Sequence, residues 1–264
     1  MSTLLDSIIL GIIQGIAEWL PISSTGHLRL AEHFLNLSIP ILFDVTLHIG
    51  TLVVIFVFFR KDIKNILTAL AHLDFKSENG RLIPLIIIGT IPTALIGLAF
   101  SDTIESTFRT VLPIATALVI CGTLLYTSKL AREKTDKITI PEALIFGVAQ
   151  GIAIIPGLSR SGTTIAVALI LGLKREKAFR FSFLLSIPAI IGALGLTLYK
   201  EHAALAQSGF GLTEILIGAT IAMIVGYIAI NVLHKAIENK KFHLFALYCW
   251  LFGATLIVIG LLGF

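Results

Sequence analysis

Two polar clusters interrupt stretches of this chain that are otherwise apolar. In the first, Gln14 and Glu18 are four residues apart, so a helix presents both on one face. Pro21-Ile22-Ser23-Ser24-Thr25-Gly26-His27 follows, a turn that reopens into a helix carrying Arg29, Glu32 and His33. In the second, Pro156-Gly157-Leu158-Ser159-Arg160-Ser161-Gly162-Thr163-Thr164 is a Gly- and hydroxyl-rich loop leading into another apolar helix. Free N–H groups at a helix start form an anion site, and Arg160 adds a planar, permanently charged fork suited to phosphate. One loop offers a carboxylate, hydroxyls and an imidazole; the other offers a guanidinium and N–H donors. Such parts suit phosphoryl transfer, where positioning and charge neutralisation carry most of the catalysis. Plainer roles stay open: Glu18 protonated or at the interface, Arg160 capping helix carbonyls, and Ser23, Thr25, Ser161 and Thr163 as helix caps.

The elements that hold these loops must lie in lipid. The 264 residues are 56% hydrophobic and 14% charged, with a mean hydropathy of +0.96, whereas soluble domains carry roughly 25% charged residues. A chain this apolar cannot cover itself with polar surface. Six runs, roughly 41–59, 82–100, 111–128, 181–198, 213–233 and 243–262, are long enough to span a bilayer. Two stretches, roughly 4–36 and 141–173, are apolar but broken by Pro, Gly and Ser, and are expected to be re-entrant helical hairpins. With each hairpin entering and leaving on one side, 16 of the 20 Lys and Arg residues fall in loops on one face. The other face receives Arg29, Arg109 and Lys200, and Arg160 stays inside its hairpin. The positive-inside rule then makes the basic face cytoplasmic, with both termini and the first hairpin's opening extracytoplasmic. The net charge of +4 therefore calls for no nucleic-acid partner. Cys121 and Cys249 lie in apolar runs and suggest neither a disulfide framework nor a metal site.

The hairpins resemble each other. A shift of 136 residues aligns Gly11-Ile12-Ile13-Gln14-Gly15-Ile16-Ala17 with Gly147-Val148-Ala149-Gln150-Gly151-Ile152-Ala153, Ser23 with Ser159, and Gly26 with Gly162. A shift of 138 pairs Phe43, Leu47 and Ile49 with Phe181, Leu185 and Ile187, and places Asp44 and His48 on Ser182 and Ser186. Three spans separate the copies, and an odd number of crossings inverts the second. The expected fold is an all-α integral membrane protein, with six transmembrane helices and two re-entrant hairpins in an inverted repeat. It forms a single membrane domain over 1–264: repeat 1 about 1–128, a basic cytoplasmic linker 129–140, and repeat 2 about 141–264. Broken helices at matching places in two halves point to a binding site near the bilayer midplane.

At these residues the chain resembles the undecaprenyl-diphosphate phosphatase family of the bacitracin-resistance type. The family's Glu/Gln-x-x-x-Glu then Pro-x-Ser-Ser-x-Gly-His reads here as Gln14 to Glu18 and Pro21 to His27, and its Pro-Gly-x-Ser-Arg-Ser-Gly-x-Thr as Pro156 to Thr164. The resemblance covers the whole chain. It implies a multi-pass enzyme of the cell membrane that removes the terminal phosphate of undecaprenyl diphosphate, and it implies a divalent cation, Mg2+ or Ca2+. It makes Glu18 the metal-binding or general-base carboxylate with Gln14 as partner, and Ser24 or His27 the nucleophile, Ser24 being favoured. Arg160, Ser159, Ser161 and Thr164 would hold the diphosphate, with Ser23, Thr25, Gly26 and Gly162 completing the substrate-binding set. Asp44 and His48, also four apart, are our addition: they line the pocket or orient His27. A head-group transporter or lipid flippase is the competing reading, because inverted repeats of broken helices are also a transporter architecture. Gly218 and Ala222 form a small-xxx-small pair, a weak signal open to a homodimer or to internal packing.

Overall fold

The computed structural model describes residues 3–37, 41–200 and 211–262. Among them the chain is all-helical: α1 Thr3–Trp19, α2 Ser24–Leu35, α3 Ile41–Phe58, α4 Arg60–Ala71, α5 Leu82–Thr107, α6 Val111–Thr127, α7 Ile140–Ile152, α8 Arg160–Ile170, α9 Arg175–Lys200, α10 Leu212–Glu238 and α11 Phe245–Leu261. Six helical segments are long and apolar enough to cross a membrane: Ile41–Phe58, Leu82–Thr107, Val111–Leu130, Arg175–Lys200, Leu212–Glu238 and Phe242–Leu261. These are the six runs read from the sequence, and the protein is a multi-pass membrane protein. Their apolar outer surfaces, such as Ile87, Leu95, Leu216 and Leu251, are exposed from the protein and suited to lipid.

The broken stretches are the pairs α1/α2 and α7/α8. Pro21 and Pro156 interrupt each pair, because proline cannot donate the next helical hydrogen bond. At about 1.5 Å per residue, the 13 residues of α7 and 11 of α8 reach only about 20 Å and 17 Å, short of about 30 Å of hydrocarbon. The segment before α7 is tied to the end of α8: Lys134 and Thr135 N–H donate to Gly172 O at 2.7 and 3.0 Å, and Lys174 N–H donates to Thr135 O at 2.8 Å.

Small residues set the closest helix crossings. A methyl added to Gly147 would lie 2.0 Å from Gly89 O where α7 crosses α5, and one added to Gly11 would lie 2.7 Å from Gly218 O where α1 crosses α10. Gly218 and Ala222 are thus buried inside the protein against α1, so this pair is used in internal packing. The main core joins Trp19, Phe59, Phe179 and Phe183, with ring centroids 4.7 to 5.6 Å apart in the stacked or tilted pairs.

Two boundaries differ from the apolar runs. The basic 60–81 loop contains a helix, α4, and α9 starts at Arg175 rather than 181. Ion pairs make the extension of α9 stable: Arg175 with Glu133 at 3.1 Å, and Arg180 with Asp62 at 2.6 Å and Glu78 at 3.3 Å. Hydrogen-bonded Lys177, with Arg180 nearby, holds the Glu78 carboxyl below its usual range. Because the α5/α7 crossing has no room for a methyl, Gly147→Ala should destabilise the protein by about 1–3 kcal/mol, read as a lower thermal unfolding midpoint in detergent. Gly195→Ala is the control: no atom lies within 4 Å of its added methyl, and its midpoint should hold or rise.

Candidate functional site

The two interrupted turns meet inside the protein. Ser23 caps α2 and Ser159 caps α8, each hydroxyl accepting from the N–H three residues on, Gly26 at 3.3 Å and Gly162 at 3.2 Å. The contacts also run across the pair. Gly157 N–H donates to Ser23 Oγ at 2.9 Å, and Ser161 Oγ donates to Trp19 O at 3.1 Å. Glycines allow this approach: a methyl on Gly26 would lie 3.0 Å from Gly157 N, and one on Gly162 3.0 Å from Pro21 Cβ. Ser23 holds a left-handed φ of 73°, and Gly157 one of 101°. A non-glycine residue there is strained, by about 1–3 kcal/mol, and such strain gathers at functional sites.

Glu18 joins the two turns chemically. Its Oε1 pairs with Arg160 Nη2 in a very short contact, and its Oε2 accepts from Ser24 Oγ at 2.6 Å and from Gln14 Nε2 at 3.2 Å. Ser24 and Arg160 are the first residues of α2 and α8, so both half-helices open at this carboxylate. His48 Nε2 lies 3.9 Å from Glu18 Oε2, while its Nδ1 lies 3.0 Å from Asp44 O and 3.6 Å from Asp44 Oδ1. The polar line from Asp44 through His48 to Glu18 therefore runs from an exposed carboxylate to a buried one, whose side chain is 6% exposed.

The other expected residues divide. His27 is on α2 but turns toward α11: its Nδ1 is 2.8 Å from Ser23 O, its Nε2 2.6 Å from Tyr248 OH, and its ring stacks on Tyr248 and Phe252. A carbonyl only accepts, so Nδ1 carries a proton, while Nε2 is hydrogen-bonded to the tyrosine hydroxyl. No hydrogen bond joins His27 to Ser24, and His48 contacts Glu18 rather than His27. Ser159, Ser161 and Thr164 are buried and bonded internally, Thr164 to Arg160 O at 2.8 Å and to the Ser182 hydroxyl in a very short contact. Thr25 is exposed at the start of α2. Reading the sequence missed Tyr248 and Phe252, which only the fold brings from the last helix. It also missed Thr51, which accepts from Gln14 Nε2 at 3.5 Å and which the Asp44, His48, Thr51 spacing on one helical face would have revealed.

Among the described residues no group of three or more His, Cys, Asp or Glu side chains gathers as a metal cage. Gln14 turns its amide nitrogen to Glu18 and Thr51, which leaves its oxygen on the other side of the amide. Gln14 is fully buried, and its Oε1 has no hydrogen-bond partner.

Fold and site define a multi-pass helical membrane protein with a charged pair buried between two broken helices. The chain belongs to the bacitracin resistance protein BacA family, whose model matches residues 7–255. Its similarity to several proteins named undecaprenyl-diphosphatase extends nearly end to end. It is 43% identical to that of Methanosphaera stadtmanae, covering 98% of this chain and 99% of the relative. It is 40% identical to that of Desulforapulum autotrophicum (97% and 98%), and 42% identical to that of Carboxydothermus hydrogenoformans (98% and 98%).

The Ser23 geometry has a measurable consequence. Ser23→Ala removes the hydroxyl yet keeps the strained backbone, and should cost about 1–2 kcal/mol. Ser23→Gly relieves the backbone and should cost less. Thermal unfolding separates them; equal midpoints would mean that the left-handed φ carries no penalty.

Proposed function

We propose that this chain hydrolyses undecaprenyl diphosphate to undecaprenyl phosphate and inorganic phosphate at the Glu18–Ser24–Arg160 site. The family and the near-full-length relatives named undecaprenyl-diphosphatase support the reaction. One observation carries the site: a serine hydroxyl 2.6 Å from a carboxylate that also meets a guanidinium. A serine is activated by an adjacent base, and Glu18 already accepts the Ser24 proton's hydrogen bond. A carrier has no use for that pair, so the geometry favours hydrolysis over transport.

In the proposed sequence, Ser24 Oγ attacks the terminal phosphorus and its proton passes to Glu18. The bond from phosphorus to the bridging oxygen breaks, and undecaprenyl phosphate leaves with that oxygen. Once that proton has left Glu18, water attacks the phosphoserine and gives a proton to Glu18; the bond from phosphorus to Ser24 Oγ breaks, and Glu18 returns the proton to Ser24 as inorganic phosphate departs. Arg160 binds the diphosphate oxygens and neutralises the charge that gathers on them. His48 and Asp44 relay the proton between Glu18 and the opening. His27, fixed by Tyr248 and by the Ser23 carbonyl, holds the capped turn that presents Ser24. The buried Ser159, Ser161, Gly162 and Thr164 shape the Arg160 turn, and Ser23, Thr25 and Gly26 shape the Ser24 turn.

With its amide turned over, the unpartnered Gln14 Oε1 and the Glu18 carboxylate would offer oxygens to a hard divalent cation, Mg2+ or Ca2+. Two protein oxygens leave most of the coordination to diphosphate and water, as magnesium commonly prefers. When bound, such an ion would supply further charge neutralisation at the diphosphate.

The same reading covers placement. The α7/α8 pair is tied to its own preceding linker through residues 134–135 and 172–174, which supports a hairpin that enters and leaves on one side. The α1–α10 and α7–α5 crossings, each through paired glycines, and the matching Ser23 and Ser159 caps support an inverted repeat. The basic loops then lie in the cytoplasm, both termini lie outside, and the site opens outward. The product is the carrier lipid for cell-wall precursors. Its recycling leaves bacitracin less undecaprenyl diphosphate to sequester.

Phosphate release from a long-chain prenyl diphosphate by the purified protein tests the reaction. Release by the wild type should require magnesium. Ser24→Ala and Glu18→Gln should lower it by about 100-fold or more, and Arg160→Ala should abolish it in protein that still shows a cooperative melt. Full activity in Ser24→Ala would move the attack to water or His27. No release by folded wild type would favour a head-group transporter. Two quieter substitutions probe the support. Tyr248→Phe keeps the stack and removes one hydrogen bond, so turnover should fall about five-fold. Asp44→Asn and His48→Ala should shift the pH profile of turnover, and unchanged profiles in both would remove the relay.

A further inference from the structure

The α4 helix has one face committed to the protein and one face committed to nothing in it. Ile63 and Ile66 pack against the main core, Ala69 is buried, and Asp62 pairs with Arg180 of α9 at 2.6 Å. These contacts fix how the helix sits. On its other side Arg60, Lys61 and Lys64 are exposed, and among the described residues none of them has an acidic partner within ion-pair reach. Leu67 is 57% exposed, Leu70 43% and, just beyond the helix, Leu73 72%.

A groove of about 490 Å³ runs along this face between α4 and the end of α3, lined by Phe56, Arg60, Lys64, Leu67, Thr68 and His72. Its polar members, Arg60, Lys64, Thr68 and His72, recur every fourth residue and form one ridge along the helix. Phe56 and Leu67 form its apolar side. Phe56 belongs to the membrane-spanning α3, whose Val53 and Val57 are also exposed from the protein, so the groove runs into the lipid-facing surface. An occupant must be anionic at the Arg60–Lys64 lip and apolar along Phe56 and Leu67. That combination describes one molecule of the surrounding solvent.

We propose that the α3–α4 groove is a binding site for an anionic phospholipid, its phosphodiester held by Arg60 and Lys64 and the start of one acyl chain against Phe56 and Leu67. The lipid covers the open face of α4 and seats the helix in the membrane surface. The site stands apart from the Glu18–Arg160 centre and does not depend on the reading of that centre. Juxtamembrane basic residues attract anionic lipid by charge alone; the groove adds an apolar wall that makes retention local and specific.

Native mass spectrometry of the purified full chain, titrated with phosphatidylglycerol or phosphatidylcholine, tests this. The wild type should retain phosphatidylglycerol in preference to phosphatidylcholine. Arg60→Gln with Lys64→Gln should lower that retention by about five-fold for each charge removed. Lys240→Gln with Lys241→Gln, equally exposed and away from the groove, should leave it unchanged. Leu67→Ser, which keeps both charges, should also weaken retention. Inorganic phosphate at matched concentration should not displace the lipid. Equal retention of the two lipids by the wild type would overturn the site. So would full retention in the Arg60/Lys64 variant, or an equal loss in the Lys240/Lys241 control. Full retention in Leu67→Ser, or displacement by phosphate, would reduce the groove to a charge-only contact and overturn it likewise. Phosphate release by the Arg60/Lys64 variant in detergent should match the wild type, separating this outcome from any failure at the catalytic centre.

Discussion

A charge inside a membrane protein has to be answered by another charge at contact distance, and here that requirement falls on Glu18 and Arg160. The carboxylate ends one broken helix and the guanidinium begins another, 142 residues later. Desolvation of either alone would cost several kcal/mol. Once paired, each group makes the other tolerable, and the pair fixes the two interrupted turns against each other. The rest of the site follows from that meeting. Ser24 reaches Glu18 because α2 starts there, Ser161 reaches Trp19 O because α8 starts there, and Gly157 N–H finds Ser23 because the turns cross.

Such a crossing has a steric condition. Two turns with exposed backbone can approach only where side chains are absent, and glycine stands at the contact on both sides, at Gly26 and Gly157. The same condition governs the helices behind them, where α1 on α10 and α7 on α5 approach through glycine. Lipid supplies no hydrophobic drive to bring helices together, so close packing and internal hydrogen bonds must do it. Thr93 is an instance: its hydroxyl donates to Gly147 O at 2.8 Å and accepts from Gln150 Nε2 at 3.3 Å, at the crossing where glycine allows contact.

Much of this was legible in the sequence because lipid makes composition informative. A span must be apolar for its full length, so the six membrane helices could be read directly, and Pro21 and Pro156 marked the interruptions. Polar residues were conspicuous against that background, which is why Glu18, Ser24, His48 and Arg160 could be named. What stayed hidden is what hydropathy does not record. It reports where lipid begins, not where a helix begins, so α9 starts earlier than its apolar run, on Arg175 and Arg180 held by ion pairs. The helix α4 was masked by its basic residues, although Ile63, Ile66, Leu67 and Leu70 carry a helical period. Tyr248 and Phe252 gave no signal, since aromatics in an apolar span are ordinary and their partner His27 lies 221 residues from Tyr248.

The two halves of the site are alike in backbone and unlike in chemistry, and the difference decides what the protein can do. Both turns have a serine cap, a glycine at the crossing and a half-helix whose first residue faces Glu18. One first residue is Ser24 and the other is Arg160; only the first half contributes the carboxylate, since position 154, which the 136-residue shift pairs with Glu18, is Ile154. Two carboxylates facing each other across this crossing would repel and need a cation merely to coexist. Two arginines would bind an anion and have nothing to deprotonate a hydroxyl. The observed asymmetry puts a hydroxyl, a carboxylate and a fixed cation around one point, which neither half could do by repetition of itself. Two similar serine-capped turns thus supply the close approach of two helix starts, and the unlike side chains at that approach, Glu18, Ser24 and Arg160, give the crossing its chemistry.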